Sequence, residues 1–441
     1  MMILIKNTTA FLGKNFERHD NIDILIEDDR IKRIGKIREQ AKILDGTNFF
    51  VTPGFVNAHF HPSQQLNRAL GIGISHDKQM DLLHASDKIK TAADRYWLSY
   101  IAVLEGLKSG TTCFNSVGSE IETQIRVYKN MGVRAACILF PKDIIAKEKE
   151  KQIRAYAWKT AERIRKAEEL HRKYHSDLVR IHFGAVNVRY CSDKLIKGML
   201  RLAEKYGVGF HMHAAEGNIY VNKVRERTGY TPVEYLYKIH ALNHRVSLAH
   251  MTKLTEKEIE YLAKTNTHVV HCPRANSYVA VGLCPVKELL DKGVNVALGS
   301  DAAINNNSNE VRGEAHAAFD KIADKYEKAD IIDYLTLFKM LTINGAKAMV
   351  LENEIGTIEV GKKADLVLWR KNDLPFIPGF NYLADMIFTD SCRAHTIFIN
   401  GKIVLKNYKT TLIDEEEIKK KAMLICKKYY GLFKKYVAKY I

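Results

Sequence analysis

Apolar residues follow two rhythms along this chain. Short continuous runs recur through its middle: 54–60 (GFVNAHF), 111–115 (TTCFN), 133–140 (VRAACILF), 179–185 (VRIHFGA), 208–213 (VGFHMH), 246–250 (VSLAH), 267–271 (THVVH) and 294–299 (VNVALG). Between them lie stretches with helical spacing, for example 94–108, 120–131, 193–206, 255–264 and 285–292. Continuous apolar runs read as strands buried on both faces, and the alternating pattern reads as amphipathic helices packed outside them. Eight such strand–helix units predict an α/β fold, a (β/α)8 TIM-like barrel over residues 53–353. Such a barrel carries its active site at the C-terminal ends of the strands. The chain ends look different. Residues 1–52 and 354–412 are rich in β-branched residues and are broken by Gly, Asn and Asp turns. They predict a second small β-sandwich domain built from both chain ends, leaving 413–441 as a C-terminal helix.

Composition narrows the class. The chain has 441 residues, 46% of them hydrophobic, and no apolar run of membrane-spanning length. Its start, MMILIKNTTAF, reads as a strand and not as a secretion signal, so a cytoplasmic protein is expected and no membrane partner. The seven Cys are scattered without a C-x-x-C pair, which suits reduced thiols and argues against a Cys-based zinc site. The net charge is +17. Much of the excess sits in 143–175 and 415–441, where charges alternate with apolar residues at helical spacing. Solvated helix faces explain that pattern, and it argues against a nucleic-acid partner.

Candidate chemistry collects at the strand ends. His59 and His61 stand two apart, on one face of the first barrel strand. One His-x-His pair is close to chance in a chain with 17 His. However, His211 and His213 end the fifth strand, with Glu216 just after; His250 ends the sixth; His271 ends the seventh; and Asp301 follows the eighth. Imidazole and carboxylate are the ligands of a borderline-soft cation. His59, His61, His213 and Asp301 are the candidate ligands, since a buried Asp needs partners. His211 reads as a packed histidine behind them. His250 reads as a fourth ligand or as a base, and His271 as a substrate contact or a structural support. Asn305, Asn306, Asn307 and Ser308 read as caps of a helix starting near Glu310.

Seven stretches carry a resemblance: VTPGFVNAHFH, LEGLKSGTTCFN, HMHAAE, VSLAH, VVHCPRANSYVAVGLCPVKELLDKGVNVALGSD, INGAKAM and IGTIEVGKKADLVLW. Together they resemble the amidohydrolase superfamily, in its deaminase and chlorohydrolase branch, over nearly the whole chain. The resemblance implies a metal-bearing barrel flanked by a β domain. It implies that His59, His61, His213 and Asp301 bind one divalent metal ion, zinc or iron(II), and activate a water. It makes Glu216 the proton shuttle, His250 a contact to that water or to the substrate, and Asp301 a proton acceptor. Two-metal relatives need a bridging Lys at the end of the fourth strand. VRIHFGAVNVRYCS has none and Lys142 is the near alternative, which favours a single ion.

The implied activity is metal-dependent hydrolytic deamination of a nitrogen heterocycle, an adenosine-type purine first. The alternatives are hydrolytic removal of halide or a substituted amine, and a non-catalytic binding or assembly module. Relatives acting on adenosine-type nucleosides carry His-Ala-Pro-Tyr after the fourth strand, where this chain reads GAVNVRYCS, residues 184–192. Candidate substrate contacts are Gln65 and Arg68 in the loop 62–93, Asn187 and Arg189 in the departing loop, and His271. The expected partner is a small heterocyclic molecule; a homo-oligomer is left open.

Overall fold

The computed structural model describes residues 2–147, 152–155 and 157–437. Eight strand positions, all paired in parallel, form the central sheet: Phe55–His61, Thr111–Gly118, Arg134–Leu139, Val179–Gly184, Phe210–Ala214, Val246–His250, His268–His271 and Val296–Leu298. The sheet closes through its last strand. Val296–Leu298 pairs with the seventh strand, and Asp301–Ala302, after the two intervening residues Gly299 and Ser300, pairs with Phe60 and His61 of the first. Gly299 lies in that step. A Cβ there would fall 2.6 Å from His59 Cβ and 2.9 Å from the His59 nitrogen, so only glycine lets the last strand approach the first so closely.

Helices lie between successive strands. Asp193–Tyr206 illustrates why they start and stop where they do. Ser192 Oγ accepts from the Leu195 N–H at its start, and Gly207 ends it at φ +67°. Leu195, Ile196, Met199, Leu202 and Ala203 form its buried stripe. The stretch 143–175 departs from the helical reading. Ile144–Lys147 and Gln152–Ala155 pair as antiparallel strands, and the helix runs Ala157–Tyr174. The apolar positions before Ala157 are too few to make a buried helical stripe, and the neighbouring Ile144 and Ile145 favour extended backbone.

The second sheet joins both chain ends in one continuous ladder, in the order Lys409–Thr410, Lys402–Lys406, Thr396–Ile399, Leu366–Arg370, Phe49–Pro53, Met2–Leu12, Glu17–Glu27 and Arg30–Gly35, with Lys42–Asp45 also pairing with Met2–Leu12. The β-sandwich expected of these segments is thus built on a single hydrogen-bonded ladder. Gly54 alone separates this sheet from the barrel, and a Cβ there would overlap the Thr112 side chain. Arg134 in the third barrel strand meets Asp365, just before the small-sheet strand Leu366–Arg370, at 2.6 Å, and both are buried. The helix Glu415–Val437 packs back onto Ala92–Lys108. Among the described residues, no helix is long and apolar enough to cross a membrane.

Candidate metal centre

The first strand presents His59 and His61 at the barrel mouth, the fifth His213, the sixth His250, and the closing segment Asp301. Two overlapping groups bring their ligating atoms within 4.8 Å of one another: His59, His61 and His213, and His59, His250 and Asp301. His59 is common to both, so the two groups form one centre. Asp301 Oδ1 lies 3.4 Å from His59 Nε2 and 3.5 Å from His61 Nε2. Donors bound at about 2.0–2.2 Å around one cation stand roughly 3–4 Å apart, so these spacings suit one ion.

Each donor but His61 is oriented by a second bond. His59 Nδ1 lies 2.8 Å from His211 Nε2, and His211 Nδ1 lies 2.7 Å from Ser247 Oγ. With a proton on each Nδ1, His59 donates to His211 and His211 to Ser247. That arrangement leaves His59 Nε2 as a lone pair facing the cluster. This nitrogen is buried and has no hydrogen-bond partner. His213 Nδ1 donates to the Val186 carbonyl at 3.0 Å, and His250 Nδ1 to Asn276 Oδ1 at 3.0 Å. Asp301 Oδ2 accepts from Asn305 Nδ2 at 2.8 Å. Such outer partners set tautomer and ring orientation at metal sites. The backbone is also held out of its usual range, with φ at +59° for Asp301 and +76° for His250. Left-handed backbone at non-glycine residues costs about 1–3 kcal/mol each and persists where surrounding contacts enforce it.

Electrostatics favour a cation. Burial keeps His59, His211 and His213 neutral by lowering their pKa, and takes His61 down to about 3. Burial alone would raise the Asp301 carboxyl, but its contact with His59 and the charge of the nearby His250 outweigh that and lower its pKa. Neutral imidazoles around one carboxylate form a donor set that a divalent cation completes. His250 differs. Burial opposes its charging, yet the Glu216 and Asp301 carboxylates outweigh that and raise its pKa. Glu216 Oε1 lies 3.9 Å from His250 Nε2. Phe140 walls the cluster, its ring edge-on to His61 and His213 at centroid distances of 6.4 and 5.1 Å.

The remaining expected residues occupy varied settings. Gln65 Oε1 accepts from Asn309 Nδ2 at 2.8 Å, and the Arg68 guanidinium pairs with Glu105, which also accepts from Asn309. Asn187 accepts from the Tyr190 N–H and caps the turn Val188–Tyr190, while Arg189 lies over the Tyr190 ring at 4.9 Å. His271 is fully buried with neither ring nitrogen partnered, and burial takes its pKa to about 3. Lys142 Nζ sits 5.6 Å from the Tyr190 ring centroid.

The Asn305–Ser308 run does not cap the next helix, which begins at Arg312. Asn305 orients Asp301, Asn306 Nδ2 bonds the Ser300 carbonyl and Glu314, and Asn307 accepts from the Ala69 N–H. A closing strand that bends sharply needs local polar partners, and amides supply them. His76, which in the sequence reads as an ordinary residue of the loop 62–93, places Nε2 3.8 Å from Glu216 Oε1, and Asn276, which the sequence did not single out, stands behind His250. The i, i+4 spacing of Asp301 and Asn305 was a usable signal; nothing local flagged His76.

A family model described as Amidohydrolase family matches residues 50–404. A 5-methylthioadenosine/S-adenosylhomocysteine deaminase of Thermoanaerobacter pseudethanolicus is 31% identical over 430 residues, covering 95% of this chain and 97% of the relative. A 5'-deoxyadenosine deaminase of Methanobrevibacter smithii is 30% identical, covering 95% and 96%. Among solved structures, an adenosine deaminase from Xanthomonas campestris with bound zinc superposes with a TM-score of 0.88 at 24% identity, covering 97% of this chain and 98% of that one. An atrazine chlorohydrolase from Arthrobacter aurescens superposes equally well, with a TM-score of 0.88 at 22% identity over 96% of this chain and all of the other.

Proposed function

The chain belongs to the amidohydrolase family, and from that premise we propose that it hydrolytically deaminates an adenosine-type nucleoside, releasing ammonia. The observation that carries this reading is the buried, unpartnered Nε2 of His59 at the meeting point of His61, His213 and Asp301, with Glu216 beside the neighbouring His250. His59, His61, His213 and Asp301 would hold one divalent ion, zinc or iron(II). When bound, such an ion brings the pKa of a water at the site down towards neutrality. Asp301 accepts the proton that this water loses as its oxygen attacks the carbon bearing the amino group. Glu216 gives a proton to the adjacent ring nitrogen, so the ring's electron pair is neutralised as the new C–O bond forms. Glu216, now a carboxylate, takes the proton of the new hydroxyl and passes it to the amino group; the C–N bond breaks as the C=O bond forms, ammonia leaves, and the proton on Asp301 returns to Glu216. His250, held by Asn276, steadies charge on the reacting oxygen. The proposed division is a barrel over 53–353, a small domain from 1–52 with 354–412, and a C-terminal segment 413–441 that contains the helix Glu415–Val437.

The substrate class follows the named relatives, which act on adenine nucleosides altered at the 5' position. Gln65, Arg68, Asn187, Arg189 and His271 are the proposed substrate-side residues. Val186–Tyr190 sets this chain's own preference within that class. The test is a metal-reconstituted enzyme assayed for ammonia against adenosine, 5'-deoxyadenosine, 5'-methylthioadenosine, S-adenosylhomocysteine and a chlorotriazine. Ammonia from at least one nucleoside, lost on chelation and restored by metal, is expected. Chloride release with no ammonia from any nucleoside would overturn the reading.

A further inference from the structure

The proton shuttle proposed for Glu216 needs its carboxylate held in one place, and the barrel supplies only part of that hold. His250 approaches Glu216 Oε1 from inside at 3.9 Å and is buried. On the other side stands His76, its Nε2 3.8 Å from the same oxygen. Its side chain is 26% exposed, so it sits at the mouth of the site. His76 is not on the barrel. It opens the helix His76–Ile89, which lies in the long excursion after the first strand.

That helix is fastened from outside. The Tyr429 hydroxyl, on the C-terminal helix Glu415–Val437, lies 3.0 Å from the Ile89 carbonyl and 2.6 Å from Asp94 Oδ2. Lys428 Nζ reaches the same Asp94 oxygen at 3.1 Å. One turn on, Phe433 packs into two apolar clusters. One joins Leu82 of the helix His76–Ile89 to Ala302 and Ile304, just after Asp301. The other joins Leu98 to Tyr429. Phe433 therefore packs against a cluster shared by the helix that carries His76 and the segment that follows Asp301. The excursion is also tied down by Ala69 N–H to Asn307, Gln65 to Asn309, Arg68 to Glu105, and Arg95 to the Asp87 and Lys90 carbonyls.

From this geometry we infer that Tyr429 and Phe433 are positioning residues of the active site, which hold the roof helix His76–Ile89 so that His76 fixes the Glu216 carboxylate against the substrate. The inference rests on the proposed role of Glu216. A group that acts on chemistry through another residue loses its effect once that residue is gone, which a double-mutant cycle detects.

The experiment compares Phe433→Ala, Tyr429→Phe, His76→Ala, Phe433→Ala/His76→Ala and Glu216→Gln by kcat, KM and metal content on the best nucleoside, with protease cleavage within 62–90 as a separate readout. Phe433→Ala and His76→Ala are each expected to lower kcat/KM about tenfold, a loss in keeping with a small misplacement of a reacting group. Tyr429→Phe should follow in the same direction. Metal content should stay at the wild-type level, cleavage within 62–90 should accelerate in Phe433→Ala, and the double variant should fall no further than His76→Ala. A Phe433→Ala enzyme with wild-type kcat/KM, or a double variant in which the two losses multiply, would overturn the inference while a slow Glu216→Gln leaves the shuttle standing. A Glu216→Gln enzyme at full rate would overturn the shuttle and the inference together.

Discussion

At the residue scale, two neighbouring carboxyls have opposite tasks. Asp301 is kept ionised by imidazoles that crowd it, whereas Glu216 sits at the mouth between two histidines. Asp301→Asn should abolish turnover and lower the metal bound per chain, measured by elemental analysis, because it removes the only charged donor proposed for the ion. Glu216→Gln should keep its metal and slow turnover by about 10²–10⁴-fold. Glu314 makes a separate prediction about stability. It is fully buried, accepting from Asn306 Nδ2 at 2.7 Å and the Arg274 N–H at 3.1 Å, and burial pushes its carboxyl up to about 7. The ordinary value is 4.5, so between these two pH values the folded chain binds the proton more tightly than the unfolded chain. Its contribution is fully present below pH 4.5 and declines as pH rises through 7, by an amount on the order of 3 kcal/mol. Glu314→Gln cannot ionise. The melting temperature of the variant minus that of wild type should therefore become more positive from pH 4.5 to pH 7.5 in thermal scans; a difference flat with pH would contradict this.

At the scale of elements, alternation along a strand was readable before any coordinates. It put His59 with His61 and His211 with His213, and the structure keeps those pairs on facing strands. The roles within the second pair follow from depth. His211 lies one pleat deeper, where it meets His59 Nδ1 and Ser247 instead of the mouth. The hairpin Ile144–Lys147 with Gln152–Ala155 was not readable, because a charged stretch with few apolar residues has no clear period. The closing step depends on one glycine. Gly299→Ala would drive a Cβ to 2.6 Å from His59 Cβ, displacing either the first strand or Asp301. It should reduce metal retention and melting temperature together. A variant that retains wild-type metal content would show that the closing strand tolerates the shift.

At the scale of the whole molecule, the barrel and the two-ended sheet are joined through Gly54 and through the buried Arg134–Asp365 pair. Arg134→Met leaves Asp365 charged and buried without its partner, which costs about 3–5 kcal/mol. Denaturant titration should register that loss, while metal content and kcat/KM below the new transition stay at wild-type values, because the pair lies away from the barrel mouth. The chain's own pattern determined the class of fold, the strand ends at which donors stand, and the donor chemistry itself. These are local properties: period two or period 3.6, and the side chain at each position. Only the tertiary structure decided that Asp301 lies 3.4 Å from His59, that Asn305 holds it, and that His76 reaches Glu216. Those contacts join residues up to about 240 positions apart, and their distances are set by barrel closure and by the packing of the C-terminal helix on the roof. A repeating pattern specifies which face of an element is buried, but the element that comes to lie against it is chosen by how the whole chain packs.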